Sequence, residues 1–158
     1  MNCQYVKDRI REIAKNIGKI RTIQTSISDP QLNSMLNSYL VVFISGVYED
    51  CIERLFNEKA SKSQDPQVRN FVGQIVKNQF RNPNYENIKN FLGNFSQSYE
   101  QNLNSLVPQA SKTAITSIVN NKNQVAHLGL RSNATLLDLK NWHQKSIVIF
   151  QELDRILV

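Results

Sequence analysis

Lys122 and His127 are the two side chains of this sequence best placed to do chemistry. They lie in the run Ser117-Ile118-Val119-Asn120-Asn121-Lys122-Asn123-Gln124-Val125-Ala126-His127-Leu128-Gly129. On a helix, Ile115, Ile118, Val119, Lys122, Val125 and Ala126 fall along one stripe. A lysine in the middle of an apolar stripe is costly unless its charge is paired or meets an anion. At about 100° per residue, His127 sits roughly 140° round the helix from Lys122, on a face shared with Asn120 and Asn123. One helix end therefore offers a cation on one side and an imidazole with amides on another. A cation can neutralise phosphate charge, and an imidazole can accept or donate a proton near neutral pH. Taken singly, the same residues also fit a plainer account, in which Lys122 extends its ammonium past the core edge and His127 occupies a fraying last turn.

Other chemistries find little support. The two histidines and two cysteines show no metal-ligand spacing, so neither a metal nor another cofactor is expected. There is no glycine-rich phosphate loop and no Ser/His/Asp constellation. The acidic residues are scattered, although Glu49, Asp50 and Glu53 cluster on the long second helix. His143, beside Trp142, reads as a core-edge histidine. Lys7, Arg11 and Lys15 form a basic stripe that could grip a phosphate backbone but is best read as a solvated face, and the same holds for a second candidate patch of Arg69, Lys77 and Arg81. Cys3 lies near the start and Cys51 inside an apolar helix, which does not suggest a disulfide framework.

The elements that must position these residues are all helices. Periodicity predicts helices over about 3–25, 30–61, 66–80, 84–94, 96–105, 108–128 and 135–157. Asp29-Pro30 and Asp65-Pro66 each place an N-cap acceptor before a proline suited to the first helical position, and Asn82-Pro83 repeats the device. Thr135 with Asp138 resembles a capping box, and Gly129 is a C-terminal stop. Leu32, Leu36, Tyr39, Leu40, Phe43, Val47, Cys51 and Leu55 follow helical spacing, which predicts that the second helix runs through the centre of a bundle. No strand-like alternation competes. The expected fold is an all-α bundle of long antiparallel helices with additional short ones.

Composition sets the outer bounds. The 158 residues suit one domain spanning 1–158, with 41% hydrophobic and 20% charged residues as in an ordinary globular protein. Five glycines and four prolines are too few for the many turns of a β-sandwich. The net charge of +6 favours a polyanionic partner such as RNA, DNA or anionic lipid without choosing among them. The first residues are charged and lack an apolar signal core. The longest fully apolar run, Leu40 to Ile44, is far too short to span a membrane. A cytoplasmic location is expected.

The segment from Asn121 to His127, with Gly129 close behind, resembles the signature of the HEPN superfamily. There, an arginine, four to six variable residues and a histidine stand near the end of a late helix. The closer likeness is to the RiboL-PSP-HEPN branch. It extends to Tyr48-Glu49-Asp50-Cys51, to Pro66-Gln67-Val68-Arg69-Asn70-Phe71-Val72, to Asn82-Pro83-Asn84 and to Leu92-Gly93-Asn94-Phe95, covering about residues 30–155. The resemblance implies a helical bundle that pairs as a homodimer and acts as a metal-independent endoribonuclease. On that basis His127 is the acid/base, Lys122 stabilises phosphate charge, Asn121 and Asn123, with Asn120, position either the substrate or His127, and Glu49 or Glu53 orients Lys122 or His127. It also implies RNA as partner and, by context, a protein partner in a defence or toxin-antitoxin system. The sequence departs from the pattern in two places: Lys122 stands where the branch has arginine, and Leu128 delays the glycine by one position. Lysine is a single-point donor where arginine offers a planar fork. The alternative is a catalytically weak or inactive HEPN module that binds RNA or a partner protein.

Overall fold

The computed structural model describes residues 1–79 and 82–158. Seven helices are present among these residues, with no strand: α1 (Gln4–Ser26), α2 (Pro30–Ser61), α3 (Pro66–Gln79), α4 (Tyr85–Phe95), α5 (Gln97–Leu106), α6 (Gln109–Leu128) and α7 (Leu136–Leu157). Each begins and ends within about a residue of the span that periodicity predicts. Arg81, the third member of the expected Arg69/Lys77/Arg81 patch, lies outside the described residues, as does Phe80 at the end of the third expected helix.

Local chemistry sets these boundaries. Asp29 caps α2 by accepting from the amides of Gln31 and Leu32, and Asp65 accepts from Gln67 N at 2.8 Å before α3. Thr135 and Asp138 form a reciprocal capping box at the start of α7. The third expected cap is displaced. Asn84, not Asn82, caps α4, its side chain accepting from Asn87 N at 2.8 Å. Pro83 precedes the helix, and the Asn82 carbonyl accepts from Asn84 N, which leaves the Asn82 side chain available elsewhere.

α2 packs against α1, α3, α6 and α7, and α6 and α7 pair along their length. α1 contributes Val6, Ile10, Ile13, Ile17 and Ile20 to the core. At the far end of α2, Phe56 meets Phe91 edge-on at 4.7 Å and Phe95 at 5.2 Å, tying α4 to the bundle. α1 is anchored by a distant cap: the buried Asp154 carboxylate of α7 accepts from the amides of Asn2 and Cys3. Cys3 and Cys51 are both free and buried, and burial pushes the Cys51 thiol up to about 12, which keeps it protonated.

Two expectations about the core are corrected. The first concerns α2, which is central only along part of its length. Leu40, Val41, Ile44, Val47 and Tyr48 are buried, but Leu32, Met35, Tyr39 and Val42 form an exposed apolar stripe, with Met35 and Tyr39 each 57% exposed. Periodicity identifies an apolar helix but not which of its faces meets a neighbour, and no helix among the described residues covers this one. The second concerns His143, which is fully interior rather than at the core edge. It is 2% exposed, and its Nδ1 lies 3.0 Å from the Tyr48 hydroxyl. Burial raises the Tyr48 pKa and keeps its phenol protonated, so the hydroxyl and the ring nitrogen form a hydrogen bond between neutral groups. The basic stripe of α1 is solvated as expected, with Arg11 paired to Asp8 at 3.4 Å.

No helix among the described residues is long and apolar enough to cross a membrane.

Candidate functional site

α6 carries the site residues, and its two faces treat them differently. Ser111, Ala114, Ile115, Ile118 and Val119 are buried against the bundle. Lys122 continues that inward stripe one turn later. Its Nζ lies 3.6 Å from Glu49 Oε1 of α2 and donates to Asn82 Oδ1 at 3.1 Å. The side chains of Lys122 and Glu49 are 16% and 29% exposed, so water only partly screens the pair. Burial pushes the Glu49 carboxyl above its ordinary value, and Lys122, with a smaller contribution from Ser45, pulls it back down. The lysine's expense on an apolar stripe is thus offset by a carboxylate from the neighbouring helix.

His127 points the other way. It is exposed in the last turn of α6 and makes no hydrogen bond among the described residues. The helix that presents it ends sharply: Gly129 adopts φ 62°, and the amides of Gly129 and Leu130 both return to the Gln124 carbonyl. The extra Leu128 is accommodated as the last helical residue. After this turn, the chain to α7 is fastened at several points. Ser132 N donates to Ser38 Oγ at 2.9 Å, Ser132 Oγ donates to Asn121 Oδ1 at 3.2 Å, and Asn37 Nδ2 donates to the Ala134 carbonyl at 3.1 Å.

The three asparagines separate. Asn121 is committed to the fold through Ser132 and the Ser117 carbonyl. Asn123 Oδ1 is buried and has no hydrogen-bond partner among the described residues. Asn120 is exposed and lines an open polar groove of about 390 Å³ with Tyr85, Glu86, Lys112, Thr116 and Ser117. On α6, Thr113, Thr116, Asn120, Asn123 and His127 share one polar face, so the groove and the histidine lie along the same side of the helix. Glu53 lies one turn beyond Glu49 and makes no hydrogen bond or ion pair among the described residues. Of the two acidic candidates, the one in contact with Lys122 is therefore Glu49. Asn82 went unrecognised as a partner of Lys122, because its position before Pro83 suggests a cap.

Among the described residues no group of three or more His, Cys, Asp or Glu side chains could hold a metal ion.

Long helices packed side by side, with a polar segment closing the penultimate one, define an all-α helical domain with its candidate site at one helix end. The chain belongs to the RiboL-PSP-HEPN family, which it matches over residues 5–158. HEPN domains are RNA-related and often dimeric. No curated protein and no solved structure matches the chain.

Proposed function

We propose that this protein is a metal-independent endoribonuclease of HEPN type, acting in the cytoplasm as a homodimer with a composite active site. The observation that carries this reading is the division of labour at the end of α6. An exposed, uncommitted imidazole stands on a helix end fixed by its glycine cap, and an ion-paired lysine lies one and a half turns before it.

In the reaction, the ribose 2′-hydroxyl attacks the adjacent phosphorus. The bond from phosphorus to the 5′-oxygen breaks, and a 2′,3′-cyclic phosphate and a 5′-hydroxyl result. One imidazole takes the proton of the 2′-hydroxyl, and a second, protonated imidazole gives a proton to the departing 5′-oxygen. A single chain has one histidine at this place, so the second is His127 of the partner subunit. Lys122 adds positive potential for the charge that develops on the phosphorane oxygens, and Glu49 and Asn82 hold its ammonium in place. Asn120 and Asn123 contact the strand on the face they share with His127, and Asn121 supports the turn behind it.

The exposed stripe of α2 supports the dimer. Leu32, Met35, Tyr39 and Val42 continue at helical spacing into Gly46, Glu49 and Glu53, so the uncovered apolar face runs up to the Lys122 ion pair. A second copy covering that face would lie against the site.

The test is cleavage of end-labelled RNA in EDTA by the wild type and by His127→Ala. The wild type should yield cyclic-phosphate ends. The variant should lose at least about 100-fold in rate, the scale of a general acid/base, and keep its fold and mass because His127 is exposed. Unchanged cleavage by His127→Ala would sink the assignment. Salt-sensitive RNA binding with no cleavage of any RNA would favour the second reading, a non-catalytic HEPN module.

A further inference from the structure

We infer that Arg131, on the turn after α6, is the residue that grips the RNA phosphate, with Lys122 supplying charge from behind; this rests on the ribonuclease reading above. Three observations point to it.

The first is the state of Lys122. Its ammonium faces inward, 3.6 Å from Glu49 and bonded to Asn82, so a carboxylate neutralises much of its charge. A phosphate arriving at His127 needs a cation that is not already spoken for.

The second is the state of Arg131 itself. It is exposed and makes no ion pair or hydrogen bond among the described residues. The backbone around it is nevertheless fixed on both sides. Leu130 N bonds back to the Gln124 carbonyl at 3.3 Å, and Ser132 is held by Ser38 and Asn121. An unpaired guanidinium on a fastened turn loses little backbone freedom when it binds, which favours an anion contact. The turn also keeps it close to His127. Four virtual bonds separate the two Cα atoms, so they stand at most ~15 Å apart, and the left-handed reversal at Gly129 brings them nearer.

The third observation is electrostatic. From Gln101 to Leu137 the chain contains no aspartate or glutamate, yet it carries Lys112, Lys122 and Arg131 besides His127. Glu100 and Asp138 bound this stretch, which spans all of α6 and the turn after it. With Lys122 turned inward to Glu49, the cations left on this segment are Lys112 and Arg131, and Arg131 is the one in the turn after α6 that makes no ion pair or hydrogen bond among the described residues. Arginine also supplies what lysine at position 122 lacks, a planar fork that holds two phosphate oxygens at once.

The experiment compares wild type, Arg131→Ala, Arg131→Lys and, as a control for lost charge, Lys145→Ala at an exposed site on α7. Cleavage of labelled RNA in EDTA gives kcat and KM. RNA binding across a salt series is measured in a His127→Ala background. Arg131→Ala should lower kcat/KM by 10- to 100-fold and flatten the slope of log Kd against log salt by about 0.7, one single-strand phosphate contact. Arg131→Lys should keep the salt slope and recover only part of kcat/KM, and Lys145→Ala should do neither damage. If Arg131→Ala leaves both kcat/KM and the salt slope of a cleaved RNA unchanged, this inference is overturned and the nuclease reading stands. If wild type binds but does not cleave, an unchanged slope in Arg131→Ala overturns it equally. An RNA panel that wild type neither binds nor cleaves overturns both.

Discussion

Lys122 Nζ stands 3.6 Å from Glu49 Oε1, so the lysine on the inward stripe of α6 is matched by a carboxylate from α2. Neither side chain is well solvated, and each sets the conditions for the other. Fully exposed pairs contribute about 0–1 kcal/mol, whereas losing one partner of a fully buried pair costs about 3–5 kcal/mol.

Lys122→Met should therefore cost about 1–2 kcal/mol at pH 7, between those limits, measured by urea unfolding. The loss should shrink as pH falls and Glu49 takes up a proton, because a neutral carboxyl no longer needs the cation. Adding Glu49→Gln to Lys122→Met should recover most of the stability. A double variant as unstable as the sum of the two single ones would show that the groups do not interact.

Breaking the apolar stripe of α2 should separate the protomers of the proposed homodimer without unfolding them. Tyr39→Asp and Val42→Asp place a charge on an exposed face, so the monomer should lose less than about 0.5 kcal/mol. Light scattering should show half the wild-type mass, with RNA cleavage reduced at least about 100-fold. A monomeric variant that cleaves at the wild-type rate would rule out the composite site.

The buried His143 should make the fold sensitive to acid. Burial pushes its pKa from the ordinary 6.5 down to about 4, with the Ile10 carbonyl pulling weakly the other way. The folded state therefore favours the neutral ring, and below pH 6.5 the unfolded chain binds the extra proton. Stability is full above pH 6.5 and falls as pH drops towards 4, by on the order of 3 kcal/mol. His143→Gln should flatten this part of the stability–pH curve. If the two curves run parallel between pH 7 and 4, His143 is not the cause.

Gly129→Ala isolates the cost of the turn that carries Arg131. A methyl group there meets no atom within 4 Å, so the whole effect comes from holding alanine at φ 62°. A loss of about 1–2 kcal/mol in thermal or urea unfolding is expected. Cleavage should fall further than Arg131→Lys alone would cause only if the turn also shifts His127, which kcat reports.

The sequence by itself determined where each helix begins and ends, and which residue types stand near the end of α6. Asp29, Asp65, the Thr135/Asp138 box and Gly129 act through backbone groups no more than a few positions away, so their effect is legible locally. The tertiary structure alone decided the partners. Lys122 meets Asn82 from 40 residues away, and Tyr48 meets His143 from 95. The same is true of the stripe on α2, whose residues are as apolar as those that are buried. Helical spacing fixes which side chains share a face, but which face is covered depends on several long helices packing together at once. That packing turned an expensive lysine into half of an ion pair and left Arg131, four residues after His127, exposed and without an ion pair among the described residues.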